Sequence, residues 1–239
     1  MNDLPKPLVR TEGDRRTLEF APGDIQSAMR LSRPHRLVLA YTRAMMCFGL
    51  LVPRPAHILL VGLGGGSMAK FCHRHFPDAR ITVLELRADV IALRDAFLVP
   101  PDDARFRVVH AEAAAWMLGA APNSFDVIVV DGFDESGLPP ALSSRFFYGV
   151  CRRLLLPGGV LVANVFSYDK RRGEVIAALD DAFDAQTCQL DKVAGNNHIL
   201  FAGAATRCRA ARLLPRLPFG LFNRLCVRLI LYWIARPTV

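Results

Sequence analysis

The chain lacks a paired-cysteine framework. Its six cysteines, Cys47, Cys72, Cys151, Cys188, Cys208 and Cys226, fall at unrelated spacings with no CxxC. That excludes a disulfide scaffold or a thiolate zinc site and points to a reducing compartment. No HExxH occurs among the six histidines, and His73 and His75, two apart, do not share a helix face. No metal site is expected. The opening stretch MNDLPKPLVRTEGDRR has no apolar core of the signal-peptide kind, so secretion is not expected and a cytoplasmic location is. An uncharged run of about 20 residues, the length of a membrane span, is also missing. The most apolar stretch, Leu213 to Ala235, is interrupted by Arg216, Arg224, Arg228, Pro215, Pro218 and Gly220.

Acids are absent from Thr206 onward, where seven arginines stand alone. Of 30 basic and 22 acidic residues, 23 and 22 therefore remain outside the tail. Seven of the eight net positive charges belong to the tail, and the body is not expected to bind nucleic acid. Leu221 to Ala235 reads as a basic amphipathic helix with Asn223, Arg224 and Arg228 towards one side. Docking against the body or a second subunit, hence a homodimer, is expected. The alternative is weak contact with a membrane surface through Tyr232 and Trp233.

What is present centres on Ile58 to Glu85, ILLVGLGGGSMAKFCHRHFPDARITVLE. An apolar run (Ile58 to Val61) breaks into Gly62, Gly64, Gly65 and Gly66. A helical pattern follows from Ser67 to His75, then a second apolar run ending on Glu85. Strand, glycine turn, helix, strand and acid is the order of a nucleotide-binding βαβ unit. The glycines let the backbone approach a ligand at a helix N-terminus, and Glu85 is placed to accept hydrogen bonds from ribose hydroxyls.

Around this unit strand and helix patterns alternate. Before it come short β runs, Thr17 to Phe20 and Ile25 to Met29, and a helical stretch from Tyr41 to Val52. After it come a helix over Ala88 to Phe97, a strand over Phe106 to His110, a helix over Ala113 to Leu118 and a buried strand over Phe125 to Val130. A helix from Ser143 to Leu156 is stopped by Pro157-Gly158-Gly159, ahead of a strand over Val160 to Val165. A helix over Arg171 to Phe183 and two closing antiparallel strands, Thr187 to Leu190 and His198 to Ala202, complete the pattern. This predicts an α/β, doubly wound, mostly parallel Rossmann-like sheet, with a short N-terminal β extension and the C-terminal basic helix. The expected division is 1–52 for the preface, 53–205 for the main domain and 206–239 for the tail.

Ligands of such sheets bind beyond the carboxyl ends of the strands. There the sequence places Gly62 to Gly66, Glu85, Glu112, Asp131 and Asn164. Glu112 reads either as an adenine-binding acid, with Ala113 beside it, or as the N-cap of the Ala113 helix. Asp131 and Asp134, with Glu135 alongside, form an acidic cluster suited to attract an amine and accept its proton.

These motifs resemble the spermidine synthase family of aminopropyltransferases, within the class I AdoMet-methyltransferase-like fold. The likeness runs from about Phe20 to about Phe201. It rests on Gln26 in its IQS context, Tyr41, VGLGGGS (61–67), Glu85, the HAEA segment with Glu112, VVDGFD (129–134) and the tract 138–166. The resemblance implies that Gly62, Gly64, Gly65, Gly66, Glu85, Glu112 and Ala113 hold the thioadenosine, and that Gln26 and Tyr41 line the donor and acceptor pockets. It implies that Asp131 and Asp134 position the attacking amine. The implied reaction moves an aminopropyl group from decarboxylated AdoMet to a polyamine such as putrescine, releasing methylthioadenosine. An AdoMet-dependent methyltransferase and a non-catalytic nucleoside-binding protein are the alternatives. The chain departs from the family pattern in four places. Gly65 stands where the usual GGGDGG loop has an acid, Glu112 replaces an Asp, and Asp131-Gly-Phe-Asp134-Glu135 replaces D-S-S-D-P. No late aromatic is matched between Gln186 and Asn197.

Overall fold

The computed structural model describes residues 6–133, 138–193 and 197–204. A three-stranded antiparallel sheet comes first: β1 (Leu8–Glu12), β2 (Arg15–Glu19) and β3 (Ile25–Arg30), in that order. β1 is exposed along its length, whereas Thr17 to Glu19 of β2 and Ser27 to Met29 of β3 are buried in succession, so β2 and β3 are covered on both faces there. Two short helices, α1 (Ala40–Met45) and α2 (Phe48–Leu51), lead into the main sheet.

The main domain runs β4 (His57–Val61), α3 (Ser67–His75), β5 (Arg80–Glu85), α4 (Ala88–Ile91), β6 (Phe106–His110), α5 (Ala113–Gly119), β7 (Phe125–Val130), α6 (Arg145–Leu154), β8 (Leu155–Phe166), α7 (Arg172–Ala182), β9 (Thr187–Val193) and β10 (Asn197–Ala202). The seven strands lie in the order β6-β5-β4-β7-β8-β10-β9. The first five are parallel, and β10 and β9 close the edge antiparallel. This is the expected methyltransferase-like α/β arrangement. From β4 the chain winds outward to β5 and β6, then returns to β7 on the other side. The β4–β7 junction is therefore the topological switch point, where such sheets bind ligands.

Each central strand feeds two cores. Ile58 and Leu60 of β4 join a cluster with α1, α2, α3 and the N-terminal sheet. Leu59 and Val61 join another with α5, α6 and α7. Burial on both faces explains the nearly unbroken apolar runs of β4 and β7.

Three boundaries differ from the sequence expectation. The helix expected from Tyr41 to Val52 is split, because hydrogen bonds tighten to i→i−3 at Cys47, Gly49 and Leu50. The helix expected over Ala88 to Phe97 ends at Ile91 for the same reason, with Leu93 and Arg94 bonded to Val90 and Ile91. Pro157-Gly158-Gly159 does not precede the strand. It lies within β8, where Phe125 faces Leu155 but Val127 faces Val160, so the extra residues are taken up as a bulge. Among the described residues no helix is long and apolar enough to cross a membrane. The tail helix lies outside the described residues.

Candidate active site

A cavity of about 610 Å³ opens at the switch point, within the size range of small-ligand sites. The β4 loop, the ends of β5, β7 and β8, the N-terminus of α5, α1 and the N-terminal sheet all line it.

The glycine loop forms the floor. Gly62 has φ +100°, and a Cβ there would collide with the Asp131 carbonyl oxygen. Only glycine lets β4 turn this close to the end of β7. Gly62, Leu63, Gly64, Ser67 and Met68 face the cavity. Gly65 and Gly66, which the sequence reading grouped with them, pack the other way. A Cβ on Gly65 would meet the Ser27 Oγ at 2.7 Å and Phe97 Cδ1 at 2.8 Å, and one on Gly66 would collide with Val99 Cγ2. The space beside Gly65 is filled by Ser27, whose hydroxyl lies 3.2 Å from that of Ser67 at the start of α3.

Glu85 ends β5 and is buried. Its carboxylate accepts the Leu63 N–H at 2.8 Å and the Arg87 N–H at 2.9 Å, so it is fixed against the loop while lining the cavity. Glu112 caps α5 by accepting the Ala114 and Ala115 N–H groups at 3.0 and 2.7 Å. Glu112 and Ala113 both line the cavity. The capping role is observed, and it leaves the carboxylate at the cavity wall.

Asp131 follows β7 directly. Asn164 of β8 donates its Nδ2 to Asp131 Oδ1 at 2.9 Å, and Asn197 of β10 donates its Nδ2 to Asn164 Oδ1 at 3.0 Å. Tyr41 of α1 approaches the same carboxylate. Burial pushes the Asp131 carboxyl up to about 6, against the pull of the Asn164 and Tyr41 hydrogen bonds. Burial, and then the Asp131 charge, push the Tyr41 phenol well above its ordinary value. A carboxylate poised near neutrality in a cleft suits general base work. Asp134 lies outside the described residues.

Gln26 lines the cavity and donates to Asp24 at 2.8 Å. Asp24, Phe133, Phe166, Tyr168 and Asn197 also line it, and sequence reasoning did not single them out. The rings form a run from beside Asp131 outward: Phe133 and Phe166 have centroids 4.2 Å apart, and Phe166 stacks on Tyr168 at 5.0 Å and 12°. Asp24 is close enough to Tyr168 to act on its phenol. Asp24 and Tyr168 sit in segments that read only as turn and loop, so no periodic signal marks them. Among the described residues no group of acids, histidines and cysteines is arranged to hold a metal ion.

The family model that matches the chain is described as a spermine/spermidine synthase domain and covers residues 38–180. A polyamine aminopropyltransferase of Chromobacterium violaceum is 37% identical over 235 residues, covering 93% of this chain and 90% of that protein. One from Neisseria meningitidis serogroup A is 35% identical over 201 residues, covering 83% and 76%. Among solved structures, a probable spermidine synthase of Corynebacterium glutamicum superposes with TM-score 0.75 at 21% identity, covering 98% of this chain and 93% of that one. Human methyltransferase-like protein 13 in complex with SAH gives 0.63 at 24%, covering 84% and 94%. A spermidine synthase in complex with the transition-state analogue AdoDATO gives 0.61 at 20%, covering 82% and 72%. These three likenesses are likenesses of fold.

Proposed function

The chain belongs to the spermine/spermidine synthase family, and from that premise we propose how its cavity transfers an aminopropyl group from decarboxylated AdoMet to a polyamine. The donor's thioadenosine lies over Gly62 to Gly64, with its ribose at Glu85 and its adenine beside Glu112 and Ala113. Gln26, Ser27 and Ser67 border its aminopropyl arm. The acceptor amine sits at Asp131. Its second ammonium lies towards Asp24 and Tyr168, where a carboxylate and an aromatic face favour a cation, and its methylenes run along Phe133 and Phe166. The acceptor is therefore a linear diamine, of which putrescine is one. Asp134 joins this acceptor site, and residues 53–205 form the catalytic domain. The enzyme works in the cytoplasm as a homodimer.

The single observation that carries this reading is Asp131, a carboxylate in the cavity with its proton affinity raised to about 6 and held between Asn164 and Tyr41. The neutral amine attacks the donor carbon next to the sulfonium. A C–N bond forms, the C–S bond breaks, and its electron pair leaves with methylthioadenosine. The amine proton passes to Asp131. Sulfonium already leaves readily, so alignment and the exclusion of water are the protein's main contributions. The space filled beside Gly65 favours a second reading, AdoMet-dependent methyl transfer, since no carboxylate there repels that of AdoMet. The raised base beside an amine-sized site favours aminopropyl transfer.

Asp131 must be ionised to accept the proton, so kcat/KM rises with pH through about 6. Asp131→Asn is expected to lower kcat by about 10²–10⁴-fold, the usual loss for a general base, and to abolish the limb near pH 6. The check is a pH–rate profile of both proteins. Full turnover with an unchanged profile in Asp131→Asn would remove Asp131 from the mechanism.

A further inference from the structure

Asp131 is held by a row of two buried amides, and the second comes from outside the parallel sheet. Asn164 is 1% exposed and Asn197 6%. Asn197 opens β10, opposite Phe166 of β8. Its pairing with β9 is irregular at that point: Asn197 faces Val193 while Ile199 faces Leu190. Such irregularities re-aim side chains next to sites, and here the side chain reaches diagonally across the strand pair to Asn164, the residue opposite Ile199 on β8.

The hydrogen bonds have only one consistent direction. Asp131 as a carboxylate can only accept, so Asn164 must turn its amide nitrogen to it. The Asn164 oxygen is then left facing inward with almost no water to meet, and Asn197 supplies the donor it needs. We propose that Asn197 is a positioning residue, which locks the amide of Asn164 nitrogen-first against Asp131 and so keeps that carboxylate ionised and aimed into the cavity. The proposal rests on the reading of Asp131 as the base. The titratable and charged groups around Asp131 are Tyr41 from α1 and, lining the same cavity, Asp24, Glu85, Arg87, Glu112 and Tyr168. Asp134 is outside the described residues. None of these is altered by substituting Asn197.

Asn197→Asp is the telling substitution. It keeps the shape but, when ionised, accepts where Asn197 donates. Asn164 then turns its nitrogen to the introduced carboxylate and its oxygen to Asp131, which can meet that oxygen only as a protonated acid. Asn197→Ala removes the donor without adding charge. Aspartate-labelled protein is titrated by carbon-13 NMR, the Asp131 resonance being identified by its loss in Asp131→Asn. Methylthioadenosine binding is measured in parallel to show that the fold and nucleoside site persist. The expected result is an upward shift of Asp131 titration by about one pH unit or more in Asn197→Asp, a tenfold change in proton affinity. A smaller shift in the same direction is expected in Asn197→Ala, with the acid limb of kcat/KM moving in step. If Asn197→Asp does not fold, the shift in Asn197→Ala decides alone. An unmoved Asp131 titration, or a loss of rate uniform across pH, overturns the inference. The NMR titration needs no turnover. A wild-type protein without aminopropyl transfer but with the shift intact would sink the proposed function and spare this one.

Discussion

At position 65 a single hydrogen stands where the family loop usually carries a carboxylate. The structure gives the reason: Ser27 and Phe97 occupy the volume a Cβ would need, at 2.7 and 2.8 Å. Restoring the acid is therefore expected to fail. Gly65→Asp should lower stability by about 1–3 kcal/mol through overpacking without tightening decarboxylated AdoMet. Thermal denaturation and calorimetry check this, and tighter donor binding at an unchanged Tm would contradict it. Other single residues were legible for clear reasons. Glu85 and Asp131 terminate apolar runs, so their place at strand tips followed from pattern alone. Glu112 carried two readings in the sequence, and the structure shows the cap directly through its bonds to Ala114 and Ala115. Asn197 was not legible. Its partner is 33 residues away and its role depends on a local irregularity of β10, neither of which leaves a mark in composition or period.

Among the elements, α3 was the most readable, running from Ser67 to His75 as its pattern predicts. It also holds a feature the pattern conceals. Lys70 is fully buried, its Nζ bonded to the Phe97 carbonyl at 2.5 Å and the Met29 sulfur at 3.0 Å, with no carboxylate partner among the described residues. Burial pulls its ammonium down to about 7 from 10.5. Between those two values the unfolded chain holds a proton that the folded chain has released, so stability rises with pH across that window; below about 7 both states are charged and the burial cost is carried in full. Lys70→Met should raise the Tm by several degrees at pH 6, a gain of about 1–4 kcal/mol as for other buried charges replaced by apolar side chains, and should flatten the rise between pH 7 and 10. Denaturation across pH checks this, and a variant less stable than wild type at pH 6 would contradict it. Elsewhere element identity followed from period and element ends did not. Pro157-Gly158-Gly159 reads as a stop, yet strand pairing with β7 absorbs it as a bulge. The stretches after Met45 and Ile91 keep helical composition but tighten their hydrogen bonds.

For the molecule as a whole, the α/β class, the parallel sheet and its antiparallel edge were legible, because strands buried on both faces announce themselves as apolar runs. The cavity was legible on one side only. Its floor and far wall come from strand tips, which a sequence orders reliably. Its near wall comes from Asp24, Tyr168 and the N-terminal sheet, whose approach depends on how the two sheets pack. That near wall also bears on the proposed acceptor, since it lines the cavity with stacked rings and a carboxylate. The most direct measurement of the central claim is mass spectrometry of the products formed from a linear diamine with either decarboxylated AdoMet or AdoMet. Aminopropyl transfer at Asp131 is expected to give an aminopropylated amine and methylthioadenosine from decarboxylated AdoMet and no transfer from AdoMet. A methylated amine with S-adenosylhomocysteine, formed from AdoMet alone, would contradict it.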